Sequence, residues 1–259
     1  MLTPIKPVDG ESHNVAHVNA AQSPTPLWSP DAPLGAGTTT AIFATARRLR
    51  ADSHAGGAHK ALRGKNLAML LSTPSGREMS PLHRAAQDLG ARVSQVRFEA
   101  DDSKQHDIGI LARLLGRMYD AIDCDALPQS TVQRIEMEAS VPVYAGLGRD
   151  EHPARALADL LTLCEQGSKP DSQTNLLFIG DPLTPRSRTF LSAAREMGFS
   201  LRLAEMGRPA PNALAYVVDA THPPEWSMYA QGRLIEEVPR SENHRCVIQT
   251  MLLDSIPWA

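Results

Sequence analysis

The stretch Ser140–Glu165, SVPVYAGLGRDEHPARALADLLTLCE, decides the fold. VPVYAGL is a short continuous apolar run, which reads as a buried strand. A polar turn follows and carries His152 and Pro153. The chain then enters a segment with the periodicity of an amphipathic helix. Strand, turn and helix in this order form one unit of a parallel α/β layer.

The same alternation extends outward in both directions. From Thr38, TTTAIFATARRLRAD places Ile42, Ala46 and Leu49 on one helical face. After the Gly56–Gly57 break, LRGKNLAMLLS reads as a buried strand. SPLHRAAQDLGARVSQV reads as a helix capped at Gly90 and then a second strand. Residues 107–119 give another helix, Ala121 to Cys124 a strand, and TVQRIEMEAS a helix. Strands and helices alternating at this spacing point to a parallel sheet covered on both faces. The polar stretch EQGSKPDSQT, residues 165–174, marks a boundary. Beyond it NLLFIGDP is a strand, SRTFLSAAREMGFSLRLAEM a helix, glycine cap and strand, and YVVDATHPP a strand and turn. SENHRCVIQTMLLDSI is an amphipathic helix. The expected class is therefore α/β, with two doubly wound parallel-sheet domains and a short second one. Residues 1–36, rich in Pro, Ser, Ala, Asn and Gly, read as a flexible tail. Residues 37–165 form the first domain, with the helix of 241–255 packing back on it, and 166–240 form the second.

Composition narrows the function classes. The 259 residues are 42% hydrophobic and 21% charged, with a net charge of -3. That balance offers no basic stripe for neutralising nucleic-acid phosphates, and no apolar run has the length of a membrane span. The start, MLTPIKPVDGESHNV, lacks the charged-then-apolar order of a signal peptide. Cys124, Cys164 and Cys246 are odd in number and widely spaced, as reduced thiols of a cytoplasmic protein would be. No two of them share a zinc-ligand spacing. Neither metal nor cofactor is expected.

Several collinear segments carry a family resemblance. RLRAD, LRGKNLAMLL, AAQDLGARV, ARLLGRMYDAI and VPVYAGL, followed by His152, Pro153 and the helix reading LADLLT, resemble the aspartate/ornithine carbamoyltransferase family, above all its ornithine branch. In that family a Ser-Thr-Arg-Thr-Arg motif at a helix N-terminus holds carbamoyl phosphate. Free backbone N–H groups, the helix dipole and guanidinium groups suit a dianion. By the resemblance that motif falls on Ser75, Gly76, Arg77, Glu78 and Met79. Both threonine hydroxyls are gone, and Glu78 adds negative charge. Two like charges about 4 Å apart repel by about 4 kcal/mol at an effective dielectric of about 20.

Further departures follow the same direction. Asp125 stands where the family has a second phosphate-contacting arginine, and Ala145 replaces the asparagine that holds the amino-acid substrate. Gln105, His106 and Asp107 replace the lysine-glutamate-serine loop that crosses to a neighbouring subunit. Arg155 replaces the glutamine of "HPTQ", leaving His152. The "HCLP" and "SMG" loops have no counterpart. After VVDA come Thr221, His222, Pro223 and Pro224, and Ser241–His244 resembles the family's "AENR" helix start. Ser75, Arg77, Glu78, Asp125, His152 and Arg155 are the ligand-binding candidates, with Ser75, Arg77 and His152 as remnants of the family site. Arg155 is expected to close the old pocket by pairing with Glu78 or Asp125. The resemblance implies a catalytically inactive member that acts as a binding or accessory protein for a peptide or amino-acid-like ligand in a ribosomal-peptide natural-product pathway. The alternative is an active carbamoyltransferase with a changed acceptor, using His152, Arg77 and Arg155. The resemblance also implies a homo-oligomer.

Overall fold

Five of the six residues of β1 (Asn66–Leu71) are buried, because this strand is flanked by strands on both edges and by helices on both faces. The computed structural model describes residues 37–57, 60–72, 79–98, 105–166, 174–204 and 215–257. Around β1 the first sheet runs β2 (Arg92–Arg97), β1, β3 (Ala121–Asp125), β4 (Val143–Tyr144), all parallel. Side chains alternate across this sheet. Ala68, Leu70 and Ile122 face α3 (Gln105–Met118) and α4 (Gln129–Ala139). Leu67, Met69 and Leu71 face the opposite way, into a larger core.

That larger core is built by α1 (Thr38–His54), α2 (Pro81–Asp88), α5 (Pro153–Glu165), α6 (Pro185–Glu196) and α7 (Glu237–Ser255). It continues without a break into the second sheet, ordered β6 (Ser200–Ala204), β5 (Asn175–Ile179), β7 (Tyr216–His222), β8 (Glu225–Ala230), β9 (Arg233–Leu234). Phe178, Phe190 and Trp226 meet there with ring centroids 5.6–6.2 Å apart.

The α/β class and its parallel sheets agree with the sequence reading, including the cap of α2 at Gly90, whose φ of 87° favours glycine. Four particulars differ. The second sheet is not wholly parallel, because β8 and β9 add antiparallel strands after the Pro223–Pro224 turn. The apolar run VPVYAGL yields only a two-residue β4, since Ala145 onward turns away to reach α5. α5 is buried on every side from Pro153 to Cys164 rather than amphipathic, because α6 and α7 both pack on it. α7 begins at Glu237, one turn before the expected Ser241. The expected tail of residues 1–36 and most of the 165–174 boundary lie outside the described residues.

Candidate functional site

Parallel sheets bind ligands at the carboxyl ends of their strands, and β3 ends in Asp123, Cys124 and Asp125. Asp123 is buried, and its Oδ1 accepts the backbone N–H groups of Gly146 (3.1 Å) and Leu147 (2.9 Å). Burial dominates those two bonds and pushes its carboxyl up to about 7. Asp125 is also raised by burial, with Arg149 opposing the shift. The Arg149 side chain folds over Gly146 so closely that a Cβ there would sit 2.5 Å from its Cδ, and its Nε lies 3.2 Å from Glu151.

His152 is 3% exposed and caps α5, its Nδ1 accepting the Ala154 N–H at 3.0 Å. One turn into the helix, Arg155 reaches α7 instead of the sheet edge. Its Nη2 donates to Glu237 at 2.6 Å, and its Nε lies 3.6 Å from both Asp150 and Asp159. The expected Arg155–Asp125 pair is therefore corrected. An arginine four residues before a buried aspartate on one helix face is drawn to that aspartate, whereas Asp125 has Arg149 at hand. Ser75, Arg77 and Glu78 lie outside the described residues, and so does any Arg155–Glu78 contact. Of the expected phosphate loop only Met79 is described. Ser80 next to it caps α2, its Oγ accepting the His83 N–H at 3.2 Å. Gln105, His106 and Asp107 form the first residues of α3.

Among the described residues a dense cluster of buried charge surrounds Asp159, which sequence reasoning did not single out. Arg186 donates to it at 2.7 Å and Arg240 at 2.9 Å, and Asp159 is fully buried. Burial pushes its carboxyl upward, but Arg240, Arg186 and Arg155 outweigh that and hold it below the usual carboxylate range. Arg186 also lies 4.0 Å from the centre of the Trp226 ring and donates to the Pro224 carbonyl at 2.6 Å. His244 is buried close by, and burial lowers its imidazole to about 3. One signal for the cluster was present in LADLLT. An aspartate inside a leucine-rich helix is seldom buried without a cationic partner.

Comparison with known proteins places this geometry. The carbamoyl-phosphate-binding domain of aspartate/ornithine carbamoyltransferases matches residues 33–165, which include both Asp123 and the first helical turns around Arg155. An ornithine carbamoyltransferase of Actinobacillus pleuropneumoniae is 34% identical over 169 residues, covering 65% of this chain and 49% of that protein. The catabolic ornithine carbamoyltransferase of Clostridium perfringens is 36% identical over 150 residues, 58% of this chain and 45% of that protein. The chain thus spans about half the length of the curated relatives it matches. Among solved structures, Pyrococcus furiosus ornithine carbamoyltransferase aligns at 27% identity and a TM-score of 0.55, covering 66% of this chain and 54% of that one. The Coccidioides immitis mitochondrial enzyme shares the fold, with a TM-score of 0.62 at 15% identity over 85% of this chain and 93% of that one. The chain belongs to the aspartate/ornithine carbamoyltransferase family.

Proposed function

We infer that this chain is a non-catalytic carbamoyltransferase relative that binds a peptide or amino-acid-like ligand. The observation that carries this reading is Arg155. It stands where the resemblance gives a glutamine, and ion pairs with Asp150, Asp159 and Glu237 hold it between α5 and α7. Asp125 adds support, being a carboxylate where the resemblance gives a phosphate-contacting arginine. Catalysis of carbamoyl transfer requires cationic and hydrogen-bonding groups preorganised around the phosphate and carbamoyl oxygens, and a carboxylate at that position opposes them.

In this reading residues 37–165, with the helix of 241–255, form the carbamoyl-phosphate-binding-like part. Residues 166–240 form a shortened amino-acid-binding-like part, and residues 1–36 a tail. Ser75, Arg77, Glu78, Asp125, His152 and Arg155 are the residues through which the protein would bind its ligand. The biosynthesis of a ribosomal-peptide natural product is the setting proposed, on family analogy alone. A homo-oligomer and a cytoplasmic location complete the reading. The three free, buried cysteines suit a reducing compartment, and among the described residues no helix is long and apolar enough to cross a membrane.

Calorimetric titration with carbamoyl phosphate tests it. No heat is expected at millimolar ligand. Saturable micromolar binding overturns the reading in favour of an active carbamoyltransferase with a changed acceptor, the alternative that the names of the relatives favour.

A further inference from the structure

The amino ends of β1 and β2 lie at the opposite edge of the first sheet from Asp125, because β1, β2 and β3 are parallel. Near those amino ends a recess of about 170 Å³ opens between the last turns of α1 and α2 and the middle of α7. Leu49 and Leu89 give it an apolar inner wall, being 6% and 1% exposed. Ser53 and Lys60 stand at its exposed rim, and Asp88 and Gln249 line it as well.

The fold holds both charges of this recess in place. Lys60 Nζ donates to the Asp88 carbonyl at 3.0 Å. A Cβ at Gly90 would sit 3.2 Å from both Cβ and Cδ of Lys60, so the glycine leaves room for the lysine stem to pass close by. The bond to Asp88 uses one of three ammonium donors. Asp88 Oδ2 accepts from Arg245 Nη1 at 3.0 Å, and Gln249 Nε2 lies 3.4 Å from the same oxygen. Among the described residues Asp88 Oδ1 and Gln249 Oε1 accept no hydrogen bond.

Spare donors and spare acceptors thus face one small space with an apolar wall, the composition of a small-molecule site. A cation alone would meet Lys60 and Arg245. An anion alone would meet Asp88 and the negative ends of α1 and α2. A zwitterion satisfies both signs, and an α-amino acid carries its ammonium and carboxylate on one carbon. Size sets the side chain: an apolar cavity of about 150 Å³ accommodates benzene, so this recess suits a compact one.

We propose that this recess binds a free α-amino acid with a compact apolar side chain. The ligand carboxylate accepts from the spare donors of Lys60. Its ammonium donates to Asp88 Oδ1 and Gln249 Oε1, and its side chain covers Leu49 and Leu89. The ligand thereby bridges α2 and α7 to the segment that enters β1. The site shares no residue with the binding function inferred above and stands whether or not that reading holds.

The test titrates the full chain with L-valine, observed by ligand-detected NMR. Two analogues run beside it: L-valinamide, which lacks the carboxylate, and α-hydroxyisovalerate, which lacks the ammonium. Valine is expected to bind saturably with a Kd on the order of 1 mM, and each analogue about fivefold more weakly. Lys60→Gln should weaken valine binding by about the same factor, and Ser53→Phe, which fills the mouth of the recess, should abolish it. Both residues are exposed, and melting temperatures matching the native protein confirm that the variants fold. Valine binding that persists unchanged in both variants lies elsewhere and overturns the site. So does equal affinity for valine and either analogue, or no valine binding at tens of millimolar. Carbamoyl-phosphate binding by the native protein would overturn the non-catalytic reading and leave the valine result standing on its own.

Discussion

Asp159 and Arg186, 27 residues apart in the chain, form a buried ion pair at 2.7 Å that ties the helix between the two sheets to the first turn of α6. Arg240 approaches the other oxygen of Asp159 from α7, and its Nη1 donates to the Trp226 carbonyl at 2.8 Å. One carboxylate thus joins three helices and the antiparallel part of the second sheet. Burying such charges is costly, and their mutual pairing offsets that cost only while every partner is present.

Replacing Asp159 by alanine leaves three guanidinium groups without their common counter-ion. The expected loss is about 3–5 kcal/mol of unfolding free energy. Urea unfolding monitored by tryptophan fluorescence reads it, since Trp226 packs on Arg186. A loss under about 1 kcal/mol would place this network among ion pairs with little net effect.

Asp123 makes stability depend on pH in an unusual direction. Burial raises its folded-state value to about 7 from 3.8, so the folded protein holds this proton more tightly than the unfolded chain. Its contribution therefore falls as pH rises from about 4 to about 7, and is constant above that. Asp123→Asn keeps a carbonyl oxygen for the Gly146 and Leu147 N–H groups and removes the charge. Thermal melts should show the variant more stable than native at pH 8, with the difference shrinking towards pH 4.

His244 acts with the opposite sign. Burial lowers its folded-state value to about 3 from 6.5, so the unfolded chain binds the extra proton first. Stability from the neutral imidazole is complete above pH 6.5 and is lost progressively between 6.5 and 3. In His244→Leu that part of the acid limb should disappear. Subtracting the variant's unfolding free energy from the native value at each pH gives the curve to inspect, and a flat difference below pH 6.5 would refute the assignment.

Gly116 and Gly109 on α3 should respond to alanine in opposite ways. A Cβ at Gly116 would lie 1.7 Å from the Ala139 carbonyl oxygen, so α4 would have to move. A loss of about 3 kcal/mol or more is expected, visible as a large drop in melting temperature. At Gly109 the nearest atoms, on Arg113 and Glu138, are 3.7 Å away. There alanine should stabilise the helix by up to about 1 kcal/mol.

The helices and the parallel strands were legible because each carries its own period. Leu67 to Leu71 announces β1, and Gly90 the end of α2. β8 carried an equally clear signal, with Trp226, Met228 and Ala230 buried and Glu225 and Ser227 exposed. The family pattern runs from the Thr221–Pro224 turn directly to the final helix and passes over this strand. The Asp159 network was harder to find, because its members are 27 and 81 residues apart and only packing brings them together. Arg155 stands out in the sequence, but its partners are Glu237, Asp150 and Asp159 rather than Asp125. Sequence shows a buried charge's need for compensation and does not show which of several carboxylates supplies it.

α7 packs on both α1 and α5, and Arg50 donates to Asn243 across 193 residues of chain at 2.5 Å. During synthesis the two ends of that loop emerge far apart in time. The first sheet's strands can pair early, yet the buried face of α1, with Ile42 and Phe43, lacks the cover of α7 until the ribosome has made that helix. Closing so long a loop forfeits chain entropy before any contact rewards it. Until α7 is made, the nascent protein therefore carries an open apolar face, which makes it a natural client for chaperones.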